Sequence, residues 1–245
     1  MSGRARILPL LVSFVLVACG GPQVAVGPLV TGTAVEPGGG AVLGVGLLLF
    51  DPAVAPTAVG SSNAALVSPA DVLELGPGSY ATSTVPVAAD GAFRLHLPLA
   101  EDLPDGVLVA AAGFLFDKLG LADCAVTAST DAARVSAHRF DEGRSVPGLY
   151  AVTADGLTLT VVTESPVDAT DIAGFGGRFL TWLYADQPVA LQSVGTGCID
   201  RLDVGLTLAT GWNAVGWTRD AATGELRLRK ASNLGELIVT AVGKP

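Results

Sequence analysis

The stretch Asp90-Gly91-Ala92-Phe93-Arg94-Leu95-His96-Leu97-Pro98-Leu99 decides the fold class of this 245-residue chain. Asp-Gly is a dipeptide that accepts the positive φ angles of a tight hairpin turn. After it, Phe93, Leu95, Leu97 and Leu99 alternate with Arg94, His96 and Pro98. A period of two places the apolar set on one face of an extended strand, whereas a helix repeats every 3.6 residues. The stretch predicts a half-buried strand leaving a hairpin.

The same grammar extends in both directions. Upstream, Leu29 to Val35 reads as a strand, followed by the turn-rich Pro37-Gly38-Gly39-Gly40. Ala41 to Phe50 is apolar on both faces and is expected to be a central strand. Residues 51–83 are rich in Gly, Ser, Ala and Pro and interrupt the pattern. Within them, Ser68-Pro69-Ala70-Asp71 predicts a short helix start, with a Ser cap and Pro in the first turn, ended by Gly76. Thr84 to Val87 is a further strand. Downstream, Pro104-Asp105-Gly106 turns the chain into a buried strand over Val107 to Phe114.

From Cys124 on, strands are expected at Arg134 to Phe140, Leu149 to Thr153, Leu157 to Thr163, Arg178 to Ala185 and Val189 to Val194. Others are expected at Val204 to Ala209, Trp212 to Trp217, Leu226 to Arg229 and Leu237 to Val242. Asp155-Gly156 and Ala221-Ala222-Thr223-Gly224 have the lengths of hairpin loops. In Leu157 to Thr163, the residues Leu157, Leu159 and Val161 point one way and Thr158 and Thr160 the other. Hydrophobic residues make up 50% of the chain and charged residues 15%, ample for a core. Many short strands at this spacing argue for antiparallel sandwiches.

The first half resembles the carboxypeptidase regulatory-like, or transthyretin-like, β-sandwich module. The residues that carry the resemblance are Gly32-Thr33-Ala34-Val35, Val45 to Leu49, Asp90-Gly91-Ala92-Phe93-Arg94-Leu95, and Val107-Leu108-Val109-Ala110-Ala111-Ala112-Gly113-Phe114. The resemblance covers Leu29 to Phe116. The chain departs from that pattern in the insertion 51–83 and in lacking a Tyr in the last strand. Such modules are non-catalytic accessories of secreted and surface proteins, so the resemblance implies a scaffold or binding role. The second half is similar to bacterial surface lipoproteins of unknown function through Trp182-Leu183-Tyr184-Ala185-Asp186, Gly197-Cys198, Leu206-Thr207-Leu208 and Gly211-Trp212-Asn213.

The N-terminus carries an address. Arg4 and Arg6 precede an apolar run from Ile7 to Val17, and small residues follow, the layout of a secretory signal peptide. The run is too short to span a bilayer, which takes about 20 apolar residues. Leu16-Val17-Ala18-Cys19 resembles the lipobox of bacterial lipoproteins. That resemblance implies cleavage before Cys19, a diacylglyceryl group on its sulfur and fatty acyl chains such as palmitate, enough for stable anchoring. Gly20-Gly21-Pro22-Gln23 then reads as a flexible tether. The later apolar runs, Ala41 to Phe50 and Gly106 to Phe116, are about half the length of a membrane span.

The formal net charge is −9, and losing Arg4 and Arg6 makes the mature part more acidic still. Such a balance disfavours nucleic acid, whose phosphates call for clustered Lys and Arg. It also disfavours adhesion to anionic lipid through a basic face. Apart from Cys19 the chain has two cysteines, Cys124 and Cys198. In an oxidising compartment an even pair suggests one disulfide. Two buried thiols, or one reactive cysteine, are the competing readings. Closing a loop of that length stabilises by roughly 4 kcal/mol in the chain-entropy description.

The candidate sites are few. His96 and His138 are the two histidines. Each sits beside an Arg on an expected strand and is read as a surface residue. No Gly-x-Ser-x-Gly elbow, His-Glu-x-x-His pair or phosphate-binding Gly loop occurs. Asp168 and Asp171 precede Gly174-Phe175-Gly176-Gly177 in an acidic loop. Carboxylate and carbonyl oxygens suit calcium, but regular acid spacing is missing and a solvated loop is the plainer reading. Trp182, Tyr184, Trp212 and Trp217 are either core packing or a surface that stacks on a glycan or protein partner.

The expectation is an all-β chain of two antiparallel β-sandwich domains behind a cleaved lipoprotein signal peptide. Residues 1–18 are the leader, 19–28 the lipid-anchored tether, 29–117 the first sandwich and 124–245 the second. The expected function is a non-catalytic, lipid-anchored envelope protein with a structural or binding role at the cell surface. It faces away from the cytoplasm, with a protein or glycan partner and with no catalytic residue, cofactor or metal. The alternatives are an exported hydrolase and a carbohydrate- or calcium-binding module.

Overall fold

The computed structural model describes residues 27–52, 79–81, 84–115, 123–141, 144–146, 148–168, 175, 177–220, 222–232 and 234–242. The leader with Cys19, most of the tether, most of the 51–83 insertion with its expected helix start, and the connector 116–122 lie outside them.

The first half contributes β1 (Leu29–Val35), β2 (Gly44–Phe50), β3 (Ser79–Ala81), β4 (Val85–Pro86), β5 (Ala92–His96) and β6 (Leu108–Ala110). Then come β7 (Ala125–Ala128), β8 (Arg134–Ser136), β9 (Arg139–Asp141), β10 (Arg144–Val146), β11 (Gly148–Thr153) and β12 (Gly156–Thr163). The rest are β13 (Phe179–Ala185), β14 (Val189–Val194), β15 (Leu202–Leu208), β16 (Gly211–Arg219), β17 (Leu226–Lys230) and β18 (Leu237–Ala241). The described chain is therefore all-β, with helical turns only as short 3-10 segments such as Ala111–Gly113 and Thr196–Cys198. The alternation in the deciding stretch is realised: Phe93, Leu95 and Leu97 are buried, and Arg94 and His96 are exposed.

Apart from the β9–β10 pair, the strands join one large sheet. It is mixed rather than antiparallel throughout: β1 runs parallel to β18, and β15 parallel to β17. Its strands come from both sides of 117–124. Three pairings cross that line: β1 with β18, β2 with β11, and β6 with β8. Described strands of the first half thus share hydrogen bonds with strands of the second half. The first of these seams is close. A Cβ at Gly32 would lie 2.4 Å from the Leu237 carbonyl oxygen, so glycine is what lets β1 approach β18.

Two hydrophobic cores form, and each draws on both halves. One gathers Val45, Leu47, Leu49, Phe93, Leu95, Leu149, Leu180, Trp182 and Val239. The other gathers Phe114, Val135, Leu183, Leu191, Leu206, Val215, Trp217 and Leu228. β13 separates them, and all seven of its residues are buried. Phe179, Leu183 and Ala185 enter the second core; Leu180 and Trp182 enter the first. A strand alternates its side chains between faces. β13 is therefore a shared wall, and its run Phe-Leu-Thr-Trp-Leu-Tyr-Ala, with no charge, is what such a wall calls for.

Three local expectations are corrected. The strand expected over Val107 to Phe114 ends at Ala110, where the chain turns into the 3-10 segment Ala111–Gly113. The strand expected over Arg134 to Phe140 is broken into β8 and β9, and Ser136, Ala137 and His138 between and beside them are all buried. Thr160 of β12, placed by alternation on the polar side, is buried too. Its hydroxyl donates to the Leu149 carbonyl at 2.5 Å, which satisfies it inside the protein. β2, expected to be central, is central: it pairs with β11 on one edge and with β3 and β4 on the other.

Candidate functional site

Cys124 and Cys198 form a bond in the structure, with sulfurs 2.04 Å and Cα atoms 4.8 Å apart. Cys124 immediately precedes β7, and Cys198 ends the 3-10 segment that follows β14. β7 and β14 pair antiparallel, so the topology itself brings the two sulfurs to one end of one strand pair. Sequence reasoning did not foresee β7, because Ala125-Val126-Thr127-Ala128 is too short and too weakly apolar to announce a strand.

The two histidines part company. His96 is exposed on β5, and its Nδ1 lies 2.8 Å from the Gly27 carbonyl oxygen, which accepts from it. His138 is not a surface residue: it is 0 % exposed. Its amide donates to the Phe114 carbonyl at 2.6 Å and Leu115 bridges to it, so the segment after β6 folds over it. Burial pushes its pKa down to about 3, because an imidazolium loses its hydration inside the protein. It is neutral at neutral pH and has no face open to a substrate. The available signal was the uncharged run Val135-Ser136-Ala137 between Arg134 and Arg139, which suits a buried segment better than an amphipathic strand.

The four aromatic residues do not make one cluster. Register pairs Tyr184 with Trp212 and Phe179 with Trp217. Trp182, Tyr184 and Trp212 share one face of β13–β16, and Trp217 lies on the other. Trp217 is 2 % exposed and stacks on Phe179 at 4.5 Å, with Phe175 tilted against Phe179 at 5.1 Å. Trp182 and Tyr184 are buried. Trp212 is half-buried, meets Tyr184 edge to face at 5.5 Å, and donates its indole N–H to the Pro98 carbonyl at 2.7 Å. The aromatic set is committed to packing and to tying β16 to the end of the deciding stretch.

In the acidic loop, Asp168 is exposed, Asp171, Gly174 and Gly176 lie outside the described residues, and Phe175 points into the second core. Among the described residues no three His, Cys, Asp or Glu side chains converge as metal ligands would. Three surface arginines are each engaged by a carboxylate: Arg178 by Glu164, Arg227 by Glu225 and Arg229 by Asp203. Glu164 also accepts the Gly235 amide, and these hydrogen bonds hold its carboxyl below its ordinary range. Solvent screens surface pairs of this kind, so they add little to stability. The turn after β15 is closed by Asn213, 4 % exposed. Its Oδ1 accepts the Ala209 amide at 2.9 Å, and its Nδ2 donates to the carbonyls of Ala209 and Gly211 at 2.7 and 2.9 Å.

Of the residues singled out in the sequence, the structure brings together Cys124 with Cys198, and Tyr184 with Trp212. It leaves His96 and His138 on separate elements, with His138 sealed inside. No protein-family model, no curated protein and no solved structure matches the chain.

Proposed function

We propose that this chain is a non-catalytic lipoprotein of the bacterial cell envelope, held to a membrane through lipid on Cys19 and serving a structural or binding role outside the cytoplasm. The bonded pair Cys124–Cys198 is the observation that carries the reading. Disulfides persist where the surroundings are oxidising, and the leader and lipobox pattern at Arg4 to Cys19 sends a chain to such surroundings. We further read the two cores as two sandwich-like halves fused through β13. The partner class under this reading is an envelope protein or glycan. The arginines paired with acids and the acidic balance make nucleic acid a poor partner.

The test is mass spectrometry of protein extracted from the membrane fraction, together with a Cys19→Ala variant. An acylated N-terminal peptide beginning at Cys19, and release of the variant from the membrane, are expected. A chain that retains Met1, or a wild-type chain that is soluble without lipid, would overturn the reading.

A further inference from the structure

Among the described residues, β7 pairs with a single strand, β14, in the register Ala125↔Val194 to Ala128↔Leu191. It is four residues long, and its apolar hold on the core is limited to half-buried Val126 and Ala128. A short edge strand with little buried apolar surface belongs to the part of a fold that opens first.

The backbone beside the bridge is constrained at both anchors. Asp123 (φ 60°) and Asp200 (φ 57°) are the two non-glycine residues with positive φ among the described residues. One immediately precedes Cys124 and the other lies two residues after Cys198. That region of backbone space is uncommon for residues with a Cβ. Gly195 has φ 111°, and a Cβ there would lie 2.1 Å from the Asp123 carbonyl oxygen. The same carbonyl accepts the Gly197 amide at 3.2 Å. The bridge therefore holds a tight, left-handed corner at the end of an edge strand whose other supports are its ladder with β14 and its packing against the 3-10 segment Ala111–Gly113.

We infer that the Cys124–Cys198 bridge is a redox-operated latch on β7: its reduction releases β7 and uncovers the edge of β14, while both cores remain folded. Cys124 is half-buried at the margin of the second core and Cys198 is buried, so attack is assigned to the sulfur of the more exposed residue, Cys124. One thiolate of a dithiol attacks it, the S–S bond breaks, and Cys198 leaves as a thiolate that takes up a proton. The second thiolate of the dithiol then attacks its own half of the mixed disulfide and frees Cys124 as a thiol. Two electrons and two protons reach the cysteines, and the reductant ends as an internal disulfide. The inference rests on the bridge and the strand alone and stands whether or not Cys19 carries lipid.

Hydrogen exchange read by mass spectrometry on the full chain tests it, before and after treatment with dithiothreitol. Alkylation and peptide mapping establish that both Cys124 and Cys198 are free. Amides of 125–129 are expected to exchange at least about tenfold faster after reduction. Those of β13 and β16 are expected to stay protected, and the fluorescence of buried Trp182 and Trp217 to stay unchanged. A Cys124→Ser/Cys198→Ser variant should show the same pattern without reductant; if it does not fold, the reduced wild-type chain decides by itself. Unchanged exchange at 125–129 with both thiols free would overturn the latch. So would exchange that spreads at one rate through β7, β13 and β16, because the bridge would then be a staple of the whole fold.

Discussion

Val161 and Val162 are neighbours in the chain and belong to different hydrophobic cores: Val161 packs with Phe179 and Trp217, and Val162 with Leu149 and Trp182. Both are almost fully buried. β12 reaches both cores because successive side chains of a strand point to opposite faces, and its neighbour changes along its length. Tyr150 of β11 pairs with Leu159, while Val239 and Thr240 of β18 pair with Val162 and Val161. Together with β13, this strand contributes side chains to both cores, which predicts that the two unfold as one cooperative unit.

Cooperativity of that kind is measurable. Leu180→Ala opens a hole in the first core and Leu183→Ala in the second, each from a residue on β13. Each variant should lose about 2–5 kcal/mol. Both should shift a single unfolding transition, followed in urea by circular dichroism and by tryptophan fluorescence. Two separable transitions, with each variant moving only one, would mean that the cores unfold independently.

The seam between the first and last strands has its own test. Gly32→Ala places a methyl group against the Leu237 carbonyl and forces β1 away from β18. Overpacking of this sort costs about 1–3 kcal/mol. The midpoint of urea unfolding should fall accordingly. The change Thr31→Ala, on the same strand but at an exposed position, should leave stability within about 0.5 kcal/mol of wild type.

His138 links stability to pH. Its pKa is about 3 in the folded chain and 6.5 when unfolded. Between those values the unfolded chain binds a proton that the folded chain does not, so stability rises with pH and falls on acidification. Its contribution is complete above pH 6.5 and drains away as the pH drops toward 3, at on the order of 1 kcal/mol per pH unit. Glu164, held below its ordinary value of 4.5, adds its own loss only below that value. The interval from about pH 6.5 to 5 therefore reports on His138. Stability measured across it should slope for wild type and flatten for His138→Leu.

Asn213 is the polar residue whose loss should be felt most. Asn213→Ala leaves the Ala209 amide and two carbonyls of the 209–211 turn without their partners. A cost of about 1–3 kcal/mol follows. Asn213→Asp keeps the acceptor but removes both donors and adds a buried charge, so it should destabilise at least as much at neutral pH. An alanine variant as stable as wild type would show that the turn closes without the side chain.

The sequence by itself determined the strand content and much of its placement. β1, β14 and the heart of β5 lie where alternation and turn residues put them, because a strand's period of two is written in adjacent residues. It also singled out Cys124 and Cys198 as partners by simple pairing in an oxidising compartment. What it left undecided were the relations between distant segments. Nothing local in Gly32-Thr33-Ala34-Val35 names Leu237 to Thr240 as its parallel neighbour; that pairing depends on the whole chain coming together. The same holds for β13, whose uncharged run permitted either a core or a platform of aromatic rings until a second core was seen to cover its other face. His138 looked like a surface residue because alternation was carried through a strand that the fold breaks at that point. Tertiary structure decided these matters because burial is set by what packs on each face, and a strand's own residues specify only which of them share one.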